Sequence, residues 1–111
     1  MAVPDKRYSF DIDRPVTSLD HLIRDYKEGP QWSRREHFKE WVTLVEKTQT
    51  NEVEKRIQQL LAMDHRIHFH VWTQEKFLEL LLYCHEQAQL KLEIELVQKN
   101  LNEFITVLRK F

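Results

Sequence analysis

The fold is decided by the stretch from residue 90 to residue 108, which reads LKLEIELVQKNLNEFITVL. Apolar and charged side chains alternate through its first seven residues, a pattern typical of a β-strand with one buried and one solvated face. The tripeptide Asn100-Leu101-Asn102 is typical of a turn, and a second apolar segment runs from Phe104 to Leu108. The stretch therefore predicts an antiparallel hairpin over residues 90–111. An isolated hairpin is marginally stable in water, so we expect a third strand or a helical cover.

Helical spacing dominates residues 16–64. Ser18 or Thr17 is placed to cap a first helix. A capping box formed by Ser33 and Glu36 predicts that a second helix begins at Ser33. A third helix follows after a short interruption. The three apolar stripes are Leu19, Leu22, Ile23 and Tyr26; Phe38, Trp41, Val42 and Val45; and Val53, Ile57, Leu60 and Leu61.

Residues 65–89 begin with a change to a period of two. Three histidine or tryptophan positions alternate with β-branched or aromatic ones, which favours an extended segment up to residue 72. Thr73 then caps a fourth helix. The alternating set is Ile67, Phe69 and Val71 against His68, His70 and Trp72, and the helical stripe is Phe77, Leu80, Leu81 and Cys84.

The expected architecture is a single domain over residues 1–111. Residues 1–15 read as a short strand and a loop, because Pro4 and several charged side chains interrupt any longer element. Three to four helices would pack on a sheet of two or three strands. We interpret this as a partial α/β fold, α+β-like in appearance, which resembles part of a layered sheet rather than a whole one.

Composition excludes several classes of protein. Lys and Arg total 17 against 18 Asp and Glu, a net charge of −1, which argues against nucleic-acid or anionic-membrane partners. No apolar run approaches the roughly 20 residues of a bilayer span. The only glycine is Gly29, so a glycine-rich phosphate or dinucleotide loop is excluded within this chain. One cysteine cannot form an internal disulfide, from which we expect a cytoplasmic protein.

Several segments, in order along the chain, resemble the C-terminal half of a bacterial group of class I S-adenosylmethionine-dependent methyltransferases. The first is PDKRYSFD at residues 4–11 with RPVTSL at residues 14–19, which is similar to the stretch that follows the fifth strand of those enzymes. REHF at residues 35–38 resembles an element of their helical insertion. HFHVWT at residues 68–73 resembles the run before their next helix, and NEF at residues 102–104 resembles the turn into their last strand.

The resemblance implies that the first strand is the family's fifth and that the hairpin is its sixth and seventh strands, with the seventh between the other two. The family binds its methyl donor on earlier strands, so we expect no cofactor on this chain alone and no catalysis without a donor-binding half. The outer edge of the first strand would lack its usual neighbour. We therefore expect a homodimer or a methyltransferase partner chain. An alternative is a regulatory module that docks on a full methyltransferase.

Candidate substrate-side residues follow the first strand and line the histidine run. Arg7 and Arg14 carry guanidinium groups suited to an anionic acceptor. The resemblance places His68, His70 and the neighbouring Trp72 near the acceptor. The other candidates are Asp5, Lys6, Tyr8 and His37. No catalytic residue is assigned.

A metal site is a further alternative. His68 and His70 would share one face of a strand and offer two ligands. His37, Asp64 or Cys84 would then supply a third, although no familiar ligand spacing supports this set. The sequence alone therefore assigns no metal ligand.

Overall fold

The predicted hairpin is present in the computed structural model, which describes residues 1–111. Together with the opening strand it forms one antiparallel sheet, and four α-helices accompany it. The mixed α and β architecture predicted from the sequence is therefore confirmed. The strands are β1 (Ala2–Pro4), β2 (Leu92–Asn100) and β3 (Glu103–Lys110), and the helices are α1 (Leu19–Glu28), α2 (Gln31–Glu40), α3 (Val53–Met63) and α4 (Gln74–Glu86).

The strand order in the sheet is β1-β3-β2. Both β1 and β2 run antiparallel to the central β3, and Val3 lies opposite Phe104. The first strand therefore joins the sheet next to the last strand, not next to the strand that follows it along the chain.

A β-bulge between Ile94 and Leu96 changes the second half of β2. An extra residue at a bulge reverses which side chains face the core. Leu96 is consequently 45% exposed, while Val97 takes the half-buried position. The prediction that Leu96 belongs to the buried face is wrong for this reason.

The ends of three helices follow the predicted signals. The Ser18 side chain accepts a hydrogen bond from the His21 amide at the start of α1, and Thr73 accepts one from the Lys76 amide at the start of α4. α3 ends at Asp64, which adopts the left-handed conformation. No helix in the structure combines the length and apolar character needed to cross a bilayer.

The second helix departs from its predicted start. α2 begins at Gln31 after Pro30, without a side-chain cap, so the capping box of Ser33 and Glu36 does not form. Ser33 is instead buried and donates its hydroxyl proton to Asp25. At its other end α2 continues into a π-helical turn over Trp41–Val45.

Two hydrophobic cores lie on either side of the segment 65–73. One core joins the sheet to α4 and consists of Val3, Phe77, Leu81 and Phe104. The other lies among the helices and consists of Phe38, Val42, Ile57 and Leu60. The segment, which the sequence predicts to be extended, forms neither a helix nor a strand of the sheet and has a bend at His70. Ile67 and Phe69 pack on the helical core, while Trp72 packs on the sheet core.

We predict that Phe104→Ala lowers the free energy of unfolding by about 3–5 kcal/mol, because it leaves a cavity between the sheet and α4. Phe104 is 1% exposed. Urea denaturation measures the change. The matched control is Phe111→Ala, since Phe111 is 64% exposed and should cost less than about 1 kcal/mol. Equal losses for the two variants would contradict the assignment of this core.

Candidate functional site

The loop after β1 begins with a local ion pair. The buried carboxylate of Asp5 accepts hydrogen bonds from the Arg7 amide (3.0 Å) and from the Arg7 guanidinium (2.7 and 3.0 Å). The Lys6 amide donates to the carbonyl of Trp72, which ties this loop to the segment 65–73. Tyr8 is exposed and lies between the Arg7 guanidinium and the Lys99 ammonium. Of these four candidates, Tyr8 and Arg7 remain accessible to a ligand.

Arg14 is fully buried, which corrects its predicted role as a holder of a substrate anion. Its guanidinium donates to Asp11 (2.8 Å) and to Glu40 (2.7 Å). It also donates to the backbone carbonyls of His68 and Phe69. These hydrogen bonds use four of the five guanidinium N–H donors, and the buried group serves the structure rather than a ligand.

His68 contacts two residues of the loop that follows β1. Its Nδ1 is 2.8 Å from Oδ2 of Asp11, and its ring stacks on Phe10 with 5.1 Å between centroids. Phe10 and Tyr8 are both exposed. Together with Pro4, Ser9, Asn102 and Glu103 these three side chains line a cleft of about 490 Å³ beyond the end of β1. We call this the β1 cleft.

A second arrangement brings together three histidines and one aspartate. His21 and Asp25 lie four residues apart on α1 and share one face of the helix. His37 comes from α2, and His70 comes from the extended segment. One ligand atom from each of these four residues lies within 4.8 Å of the others. We call this set the histidine cluster.

The contacts inside the histidine cluster are short. Nε2 of His21 lies 3.1 Å from Nε2 of His37 and 3.3 Å from Oδ2 of Asp25. Nε2 of His70 lies 2.6 Å from the same carboxylate oxygen. The other oxygen of Asp25 accepts the Ser33 hydroxyl at 3.0 Å. The polar tips of all four side chains therefore converge on one small volume.

Burial and neighbouring charge set the ionisation of the cluster. Burial, together with His21 and His70 nearby, lowers the pKa of His37 to about 4, so this imidazole is neutral at pH 7. Burial alone would raise the pKa of Asp25. Hydrogen bonds from His70 and Ser33 outweigh burial, so the pKa of Asp25 lies below its usual value. The cluster thus combines an anionic carboxylate with a neutral, lone-pair-bearing imidazole.

Aromatic rings enclose the cluster. Trp32 packs on His21 at 4.8 Å between centroids, and Phe69 contacts His37 at 6.0 Å. Trp72 contacts His70 edge-on but packs mainly on Phe77 of the sheet core. Trp72 therefore packs against His70, and it does not line the β1 cleft.

The structure divides the predicted site residues between two places. His37 and His70 enter the histidine cluster, whereas His68 joins the β1 cleft, so the prediction that His68 and His70 share a metal does not match the geometry. The alternative ligands Asp64 and Cys84 lie outside the cluster. His21 and Asp25 were missed. Their spacing of four residues on an amphipathic helix was the available signal.

Comparison of the chain with models of protein families, with curated proteins and with solved structures finds no match. Functional conclusions about this chain therefore depend on its own fold and on the geometry of its side chains.

We predict that Arg14→Ala lowers the free energy of unfolding by about 3–5 kcal/mol, since Asp11 and two carbonyls would be left buried without their donor. Chemical denaturation followed by circular dichroism measures this loss. Arg35→Ala is the matched control: its ion pair with Glu54 is exposed and should be worth less than about 1 kcal/mol. A loss no larger than that of the control would show that Arg14 is not the organising residue.

We predict a pH-dependent effect of Asp5→Asn. Burial opposes ionisation of Asp5, but hydrogen bonds from Arg7 hold the pKa of Asp5 below its usual 3.8. The ionised form therefore stabilises the fold above about pH 4, and this contribution disappears as the pH falls through the folded-state pKa. Asp5→Asn should cost about 1–3 kcal/mol at pH 7 and progressively less toward pH 3.

Urea midpoints measured between pH 3 and pH 7 test this dependence. Asp13→Asn is the control, because Asp13 is exposed and its nearest cation, Lys47, is 3.6 Å away. A difference between wild type and Asp5→Asn that stays constant across the range would contradict the role of the carboxylate charge.

Proposed function

We propose that this chain is the acceptor-side half of a class I methyltransferase-like fold, which self-associates and does not methylate anything alone. The observation that carries this proposal is the strand order β1-β3-β2. The resemblance of residues 4–19 and 68–73 implies the same order for the corresponding strands. Three strands can be ordered in several ways in a sheet. Pairing of the opening strand with the second strand of the hairpin is only one of them, so the agreement supports the proposal.

The β1 cleft supports an acceptor-binding role. In open α/β sheets, ligands bind in the crevice beyond the carboxyl ends of the strands. The β1 cleft lies beyond the carboxyl end of β1 and combines exposed aromatic rings of Tyr8 and Phe10 with the polar ring of His68. Lys99, close to Tyr8, adds positive charge at its margin, whereas the nearby Arg7 guanidinium is paired with Asp5. A small aromatic or anionic acceptor fits this chemistry.

The residues give no cradle for S-adenosylmethionine. Gly29, the only glycine, ends α1 with φ of 85° and lies in no turn after a strand. A close backbone approach to a nucleotide needs glycines at such a turn. In this proposal the methyl donor is bound by residues other than these 111.

The outer edge of β1 is the proposed place of association. Met1 exchanges hydrogen bonds with Thr106 of β3, and the Asp5 amide donates to the carbonyl of Asn102 just before β3. The alternation of an antiparallel strand therefore leaves the amide and carbonyl of Ala2 pointing away from the sheet. Unpaired groups on a strand edge are suited to pairing with another strand.

A second, separate surface is an apolar groove between α1 and α4. Leu22, Ile23 and Tyr26 of α1 face Leu80 and Tyr83 of α4 across a groove of about 460 Å³. Tyr26 is 91% exposed despite belonging to the apolar stripe of α1. We propose that a second copy of the chain covers these surfaces. The second candidate is docking on a full methyltransferase through the same edge. The unpaired edge of β1 is as well suited to a strand of that partner as to a second copy of the chain.

We predict a homodimer at micromolar concentration that becomes a monomer in Ala2→Pro. Proline removes the outward amide of residue 2 without removing a hydrogen bond to β3. Light scattering coupled to size exclusion gives the mass, and circular dichroism checks that the fold is retained. Ala2→Val, which keeps the amide, is the matched control and should remain dimeric.

A folded wild-type monomer, or a dimer that survives Ala2→Pro, would contradict association through β1. Calorimetric titration of the chain with S-adenosylmethionine should give no binding heat. Stoichiometric binding of the donor by this chain would contradict the assignment as an acceptor half.

A further inference from the structure

We propose that the histidine cluster of His21, Asp25, His37 and His70 binds one divalent first-row transition-metal ion of the zinc class. The ion would join α1, α2 and the extended segment in a closed, four-ligand structural site. This proposal goes beyond the function proposed above and does not depend on it.

The spacing of the ligand atoms fits a tetrahedral ion. Zinc bonds of about 2.0–2.1 Å to imidazole and carboxylate place neighbouring ligand atoms about 3.3–3.4 Å apart on a tetrahedron. The observed separations are 3.1 Å between His21 and His37 and 3.3 Å between His21 and Asp25. The 2.6 Å contact between His70 and Asp25 would have to open by less than 1 Å. The remaining separations, which reach no more than 4.8 Å, would have to close toward the tetrahedral spacing when an ion binds.

The donor set matches the same class of ion. Three imidazoles and one carboxylate are ligands that zinc, cobalt, nickel and copper accept, whereas magnesium and calcium prefer oxygen ligands. The two ring nitrogens of His21 and His37 face each other, which requires a shared proton or a cation between them. Nε2 of His21 lies within 3.3 Å of both Nε2 of His37 and Oδ2 of Asp25, two partners that a single cation would satisfy together.

A supporting contact outside the cluster is already in place. Ser33 is 1% exposed and donates to the Asp25 oxygen that does not face the histidines. Ligating carboxylates are generally oriented by such a second hydrogen bond. The role of Ser33 explains why it does not cap α2.

An ion can reach the cluster from solvent. A cleft of about 700 Å³ is lined by Asp25, His37 and His70 together with Arg34 and Asp64. His21 and His37 also line a second cleft. The side chains of His21 and His70 are 23% and 31% exposed, so the ligands are accessible before the ion arrives.

The first experiment titrates the purified, chelator-treated full chain with Co²⁺ and follows visible absorption. We expect one equivalent to bind with the intense bands of a tetrahedral site, and Zn²⁺ to displace it. Imidazole nitrogen resonances of His21, His37 and His70 should shift with one equivalent of Zn²⁺, while those of His68 and His85 should not. No binding at micromolar protein, or shifts confined to other histidines, would overturn the proposal.

The second experiment compares variants by calorimetric titration with Zn²⁺. His21→Gln and His70→Gln should each weaken binding by at least about tenfold. His68→Gln is the matched control, because it removes a histidine that also contacts an aspartate but lies outside the cluster. Zn²⁺ should raise the thermal unfolding midpoint of wild type and of His68→Gln by more than it raises that of His21→Gln. Equal affinity in all variants would overturn the proposal.

Discussion

The guanidinium of Arg14 joins three parts of the chain that are distant in sequence. It donates to Asp11 in the loop after β1, to Glu40 at the end of α2, and to two carbonyls of the extended segment. A charge without solvent exposure must be paired or the fold does not form. Because the planar guanidinium fixes the directions of its donors, it also fixes where the segment 65–73 passes. The rest of the structure is arranged around that path.

The position of the extended segment explains both candidate sites. The segment runs between the two cores: Phe69 packs on the helical core, and Trp72 packs on the sheet core. His68 and His70, on either side of Phe69 in the chain, meet polar partners: His68 meets Asp11, and His70 meets Asp25. The β1 cleft and the histidine cluster therefore share a structural origin, although they contain different residues and face different parts of the chain.

Local patterns in the sequence were sufficient for the elements but not for their contacts. Alternation from Leu90 and the turn at Leu101 predicted the hairpin, because period and turn residues act over a few positions. Ser33 misled the prediction of α2, since its hydroxyl is used by Asp25 eight residues earlier rather than by the helix. The amino-acid sequence around Leu96 contains no residue that indicates the bulge, which turns this side chain outward. The histidine cluster depends on contacts over as many as 45 residues, which a single sequence does not display.

The pairing of β1 with β3 has a consequence for the order of folding. The amino group of Met1 donates to the carbonyl of Thr106, a contact spanning 105 residues. Closing so long a loop is entropically costly, whereas the hairpin and the helices form from near neighbours. The opening strand should therefore dock last and detach first, exposing the inner edge of β3 each time it leaves. Local opening of this kind exchanges amide protons of residues 104 and 106 well before the rest of the sheet exchanges.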